Sequence, residues 1–95
     1  MILDDSVYVH IVTFNNHDVV DRALSSLMEQ EGFVLGQNLK VRVTDNLSSD
    51  STREILEKWK EKISLVYNER NIGFAGGHNQ GITDFFASDF KYILI

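Results

Sequence analysis

The sequence predicts an α/β fold: an open, mostly parallel sheet built from βαβ units, Rossmann-like and three layers deep. Two observations carry this. Segments rich in β-branched and aromatic residues alternate with segments whose apolar residues recur every three or four positions, and the connections are mostly short. That pattern makes successive strands parallel, with crossover helices on the sheet faces. The polar residues gather directly after the strands, where an open parallel sheet binds its ligands.

The first strand, residues 7–14, is apolar on both faces, as a strand covered on both sides must be. A polar break at Asn15, Asn16, His17 and Asp18 leads to a first helix. Its stripe is Val19, Val20, Ala23, Leu24, Leu27 and Met28. Gly32 and Gly36 bracket a loop before a shorter second strand, residues 39–44, which ends at Asp45. Ser51 and Glu54 have capping-box spacing ahead of Ile55, Leu56, Trp59 and Ile63, which predicts the second helix. Residues 63–67 read as the third strand, 68–77 as a glycine-rich turn, 79–86 as a third helix and 92–95 as the start of a fourth strand. The four closing apolar residues suggest one domain, residues 1–95, that is a piece of a larger fold.

The chain has 95 residues, 43% apolar and 24% charged, with one Trp, six Phe and three Tyr. This is enough to build a core, and it is unlike the composition of a disordered chain. A net charge of −5 without a basic stripe excludes general affinity for nucleic acid or anionic membrane. The absence of Cys removes disulfides and thiol chemistry, and it fits a reducing compartment. The acidic opening Met1-Ile2-Leu3-Asp4-Asp5-Ser6 is not a secretory signal, so a cytoplasmic location is expected, with at most peripheral attachment to the inner face of the membrane.

Three polar loops follow the first three strands. The first contains Thr13, Phe14, Asn15 and Asn16. The second is Asp45-Asn46-Leu47-Ser48-Ser49-Asp50, and the third runs from Asn68 through Asn71, Gly73 and Phe74 to Gly76 and Gly77. Ionised Asp45 is an acceptor-only side chain, suited to the imide N–H of uracil or thymine or to the two donors on the guanine edge. It could equally cap the second helix. Asn15 fits either a base contact or an ordinary turn. Gly73, Gly76 and Gly77 allow close backbone approach to a ligand, or simply make a turn. The run is neither a Walker loop nor a dinucleotide fingerprint. Phe14 is expected in the core, Arg70 on the solvated surface, and His10 inside the sheet as a satisfied histidine. His17 and His78 are placed in loops, too isolated for a metal set.

Taken together, three segments in order resemble the N-terminal part of family 2 glycosyltransferases of the GT-A fold, particularly rhamnosyltransferase-like bacterial members. They are Ile11-Val12-Thr13-Phe14-Asn15, the Asp45-Asn46-Leu47-Ser48-Ser49-Asp50-Ser51-Thr52 loop, and the Asn71-Ile72-Gly73-Phe74-Ala75-Gly76-Gly77-His78-Asn79-Gln80-Gly81 run. The resemblance implies a nucleotide-binding role for Thr13, Asn15, Asp45, Asn46, Asn71, Gly73 and Asn79. It also implies a UDP-, dTDP- or GDP-linked donor sugar, such as rhamnose, and a saccharide or lipid-linked acceptor. The family's metal-binding acidic motif, which would hold Mg²⁺ or Mn²⁺, and its catalytic base fall outside these residues, so the chain alone is expected to be inactive. The alternative is a stand-alone nucleotide-binding or interaction module without chemistry. An exposed sheet edge makes a homodimer a further expectation.

Overall fold

A computed structural model describes residues 3–95; of the acidic opening, Met1 and Ile2 lie outside the described residues. The order of elements is β1 (Leu3–Thr13), α1 (Val20–Met28), β2 (Leu39–Asp45), α2 (Thr52–Glu57), β3 (Ser64–Tyr67), α3 (Gly73–Phe86) and β4 (Phe90–Leu94). The four strands form one sheet in the order β3-β2-β1-β4, all pairs parallel. The chain thus steps outward from β1 to β2 to β3. It then crosses back through α3 to place β4 on the other side of β1. The switch point between β1 and β4 opens a crevice at the carboxyl ends of the strands, which is where the polar loops lie.

The register gives the two faces different chemistry. Val9 pairs with Val41, Ile11 with Val43, and Val43 with Leu65. These residues face α1 and α2, whose Val20, Leu24 and Leu56 complete a buried cluster with Leu39 and Ile63. The helical stripe of α1 accounts for its position: Leu24 is fully buried and Leu27 packs against the same cluster. On the opposite face Tyr8, His10 and Val12 of β1 meet α3.

Local details differ from the sequence reading. β1 begins earlier than expected, with an irregularity between Leu3 and Val7 where Asp5 takes a positive φ of 55°. α2 is only six residues long. Its capping box does not form, because Ser51 has a near-helical backbone (φ −78°, ψ 7°) rather than the extended one that aims a cap hydroxyl at the helix amides. Asp50 does this work instead, its Oδ1 accepting Thr52 N–H at 2.9 Å. Trp59 lies past the helix and donates its indole N–H to Asp21 on α1 at 2.9 Å.

The largest correction concerns the glycine run. Residues 73–77 are not part of a turn but the first turn of α3, and His78 lies on that helix rather than in a loop. Gly73 enters with φ 82°, a value that strains any L side chain. Gly77 and Gly81 are buried against β1, where a Cβ on Gly77 would come within 2.9 Å of Val12 Cγ2 and one on Gly81 would collide with the His10 ring. Glycine in a helix costs about 1 kcal/mol relative to Ala. Close helix-to-strand packing offsets that cost here.

Candidate functional site

The site is organised around Asp45 at the end of β2, which has no exposed surface. Its Oδ1 accepts the Thr13 hydroxyl and the Ser48 hydroxyl, each at 2.6 Å. Its Oδ2 accepts Ser48 N–H at 3.0 Å and Arg53 Nε–H at 3.1 Å. Burial by itself would raise the carboxyl's pKa, but the bonds from Ser48, Thr13 and Arg53 outweigh it and hold the pKa below the usual carboxylate value. Asp45 therefore joins the end of β1, the second loop and α2. It is not a simple helix cap. Arg53 is itself held with its guanidinium over the Tyr67 ring, 4.6 Å from the centroid.

The first and second loops are laced together by backbone and side chain. Asn15, at φ 56°, donates its N–H to the Ser48 hydroxyl at 2.9 Å and accepts Ser49 N–H on Oδ1 at 2.8 Å. Asn16 N–H donates to Thr52 Oγ1 at 2.9 Å, and its Oδ1 takes Phe14 N–H at 2.8 Å. His17 Nδ1 and Asp50 Oδ2 are 2.8 Å apart. The third loop is tied in by buried Asn46, which donates Nδ2–H to the Gly73 carbonyl at 2.9 Å and accepts Asn68 Nδ2–H on Oδ1 at 2.8 Å. Asn71 is exposed and accepts Gly73 N–H on Oδ1 at 2.8 Å, a local turn that shapes the entry to α3.

Between these loops lies a depression of about 430 Å³, lined by Val12, Phe14, Asn16, Asn46, Asn71, Gly73 and Phe74. Thr13, Asn15, Asp45, Asn46, Asn71 and Gly73 are thus drawn into one bonded assembly. Asn79 is not, since it lies exposed farther along α3, outside the lining of the depression. Phe14, expected in the core, is 48% exposed at the rim, because the chain leaves the sheet after Thr13 and turns its side chain outward. Phe74, 71% exposed, lines the depression as well. Arg70 is exposed as expected and lines a neighbouring polar cavity with Asn68, Glu69 and Gln80. Another depression, of about 520 Å³, sits at the amino ends of the strands beside Leu39, Lys40 and Phe90, away from every candidate residue.

Ser48, Arg53, Asn16, Asn68 and Phe74 escaped the sequence reading as site residues. Ser48 carried a signal, being three residues after an Asp in a loop that follows a strand; Arg53 carried none, because its role depends on Asp45 facing it across the end of the sheet. Among the described residues no three His, Asp or Glu side chains come together in a way that could hold a metal ion. No described helix is long and apolar enough to cross a membrane.

Comparison with known proteins agrees with this architecture. Residues 8–93 match the profile of the family described as glycosyl transferase family 2. Abequosyltransferase RfbV from Salmonella typhimurium is 25% identical over 71 residues, covering 73% of this chain and 21% of that protein. S. aureus TarS (residues 1–349) in complex with UDP superposes with a TM-score of 0.78 at 25% identity, covering 94% of this chain and 26% of that one. A mannosyltransferase, PcManGT from Pyrobaculum calidifontis, solved with GDP-Man and Mn²⁺, gives 0.73 at 25% identity, covering 82% and 24%. The chain spans about a fifth to a quarter of the length of these relatives. With the family profile matching nearly all of the sequence and GT-A neighbours sharing its four-stranded parallel sheet, this chain belongs to glycosyl transferase family 2.

Proposed function

We propose that this chain forms the donor-nucleotide half of an enzyme that moves a sugar from a nucleoside diphosphate to a saccharide or lipid-linked acceptor. The observation that carries this reading is the convergence of three loops at the switch point of the sheet. There, Asn46 bonds the third loop to the ends of β1 and β2, beside a depression flanked by Phe14 and Phe74. An aromatic wall with amide groups beside it suits a flat, polar-edged base. Solved neighbours that contain GDP-Man, UDP and UDP-GlcNAc support the same class of ligand.

In this proposal Phe14 faces the base, while Asn71 and the Gly73 backbone approach the ribose or phosphates. Thr13, Asn15 and Asn46 hold the loops in place. Asp45 preorganises them, and its Oδ2 accepts the base imide when the Arg53 bond, the longest of the four at 3.1 Å, opens. Asn79 acts at the outer end of the site. The motif resemblance favours rhamnose as the sugar, whereas the Salmonella relative is named for abequose. The divalent ion that accompanies GDP-Man in one neighbour would be held by residues other than those described. We propose that the isolated chain binds nucleotide weakly and transfers nothing, and that the full protein works in the cytoplasm. A homodimer through the outer edge of β4, where Tyr92 and Leu94 are exposed, belongs to the same proposal.

Isothermal titration with UDP, dTDP and GDP, each with and without Mn²⁺, tests the reading. Saturable binding to one of them, weakened about tenfold or more by Phe14→Ala and by Asn71→Ala, is expected. Binding to none of the three, by a chain that remains folded, would remove the nucleotide function and leave the interaction-module alternative.

A further inference from the structure

Two imidazoles lie where α3 meets the sheet. His10 on β1 is 1% exposed and His78 on α3 is 6% exposed, and their Nδ1 atoms are 2.8 Å apart. Two neutral rings make this bond with one hydrogen, one Nδ1 donating and the other accepting. On its far side His10 Nε2 lies 2.8 Å from the Thr44 hydroxyl, which also accepts Arg42 Nε–H at 3.3 Å. Using the Thr44 hydrogen toward His10 Nε2 fixes the rest: His10 donates from Nδ1 to His78 Nδ1, and the chain runs one way from Arg42 through Thr44 and His10 to His78. In that arrangement the two nitrogens able to take a proton, His10 Nε2 and His78 Nδ1, are already accepting. A first proton can be taken up with the bonds kept, His78 Nδ1 then donating to His10 Nδ1 and His10 Nε2 to the Thr44 hydroxyl, but it leaves an imidazolium in a packed layer. A second sets two Nδ1–H groups against each other and breaks the bond.

The rings have little room to adjust. Gly81 packs directly on His10, and the Phe74 and His78 rings meet edge to face with their centroids 4.4 Å apart. The charged groups that act on the pair are Arg42 from β2 and Asp84 from α3, with Tyr8 of β1 and Lys40 of β2 behind them on Asp84. Asp84 is already engaged by the Tyr8 hydroxyl, Lys40 and Arg42, and so is poorly placed to neutralise an imidazolium.

We propose that His10 and His78 form a proton-operated latch: neutral, the pair holds α3 on β1, and protonated, it releases the amino-terminal half of α3 that carries Gly73 and Phe74. The latch stands on its own geometry. Its consequence for ligand binding rests on the nucleotide reading of the site. Burial, then the neighbouring His78 and Arg42, push His10 down to about 4, with Asp84 acting weakly the other way, and burial lowers His78 as well. Both lie below the ordinary imidazole value of 6.5, which the rings regain when the helix lifts. Docking is therefore fully favoured above that value and is lost as pH falls toward about 4. Each pH unit in that window shifts the docked-to-open ratio by up to about tenfold per imidazole.

Amide hydrogen exchange on the nucleotide-free chain at pH 7.5 and 5.0, corrected for intrinsic rates, is the test. Residues 77–85 on α3 are expected to be less protected than residues 41–44 on β2 at both pH values, because α3 opens while the sheet stays folded, and their protection should fall at least about tenfold from pH 7.5 to 5.0. His10→Phe keeps a ring beside Gly81 without titrating nitrogens and should remove most of that fall. Equal protection of α3 and β2 in the wild type, the mark of global unfolding alone, would overturn the latch, as would α3 protection that does not fall with pH or an undiminished pH effect in His10→Phe. Should the variant not fold, the wild-type comparison alone decides. Nucleotide titrations at the same two pH values separate the two ideas: no binding at either pH, with the exchange difference intact, sinks the functional reading and keeps the latch.

Discussion

The two faces of the sheet are held by different physics. Against α1 and α2 the contacts are aliphatic: Val9, Val41 and Val43 meet Leu24 and Leu56, and stability comes from apolar area removed from water. Against α3 polar, directional contacts are added to the Tyr8–Phe85 and Val12–Gly77 packing. Tyr8 donates to Asp84, His10 bonds His78 and Thr44, and Arg42 bonds Thr44, with glycines bringing the helix close enough for these distances. An aliphatic layer tolerates repacking, whereas a hydrogen-bonded one fails when a single partner is lost or displaced. The less forgiving face is also the one whose helix opens the candidate site.

The contrast can be broken most severely on the aliphatic side. Leu24→Ala removes a fully buried side chain and should cost about 3 kcal/mol of unfolding free energy in urea denaturation. Gly81→Ala tests the other face. Helix propensity alone would make it stabilising by about 1 kcal/mol, yet the collision with His10 should make it destabilising by about 2 kcal/mol. A stabilised Gly81→Ala variant would show that α3 is not packed as described. Tyr8→Phe keeps the ring against Phe85 and Phe90 and loses only the hydroxyl bond to Asp84, so a loss of about 1 kcal/mol is expected.

Acid sharpens the comparison at the end of the sheet, where the aliphatic face gives way to Asp45. Because Asp45 is held below its ordinary value of 3.8, its contribution is present above that pH and lost as pH falls below it. Asp45→Asn should reduce that acid limb, to which Asp84 also contributes, in a pH series of thermal unfolding, while the decline between about 6.5 and 4, which belongs to His10 and His78, remains. The smallest effect concerns the outer edge. Sedimentation of the chain at rising concentration should reveal a weak dimer that a charge at Tyr92 or Leu94 removes, and a monomer throughout would end the proposal of a β4 interface.

Much of the fold was legible because it is written in local pattern. The double-sided apolar run of β1, the stripe of α1 and the polar residues after each strand each follow from a few neighbouring positions. Six of the seven candidate residues come together because they lie on the loops after β1, β2 and β3 or where the third of these loops enters α3. Asn79 followed the motif alone, and the structure leaves it farther along α3. Phe14 was misplaced because hydrophobicity says that a ring prefers burial, but not which way the chain turns after Thr13.

The sequence by itself determined the alternation of strands and helices, the aliphatic layer and the position of the polar loops, since all of these depend on residue type and spacing. Only the tertiary structure decided that a glycine run is the start of a helix, that Asp45 is a saturated hub and that two histidines 68 residues apart share a hydrogen. Glycine marks both turns and close packing, and a carboxylate or an imidazole takes its role from its partners. Which of these applies is set by what lies across the sheet, and no local stretch of chain contains that information.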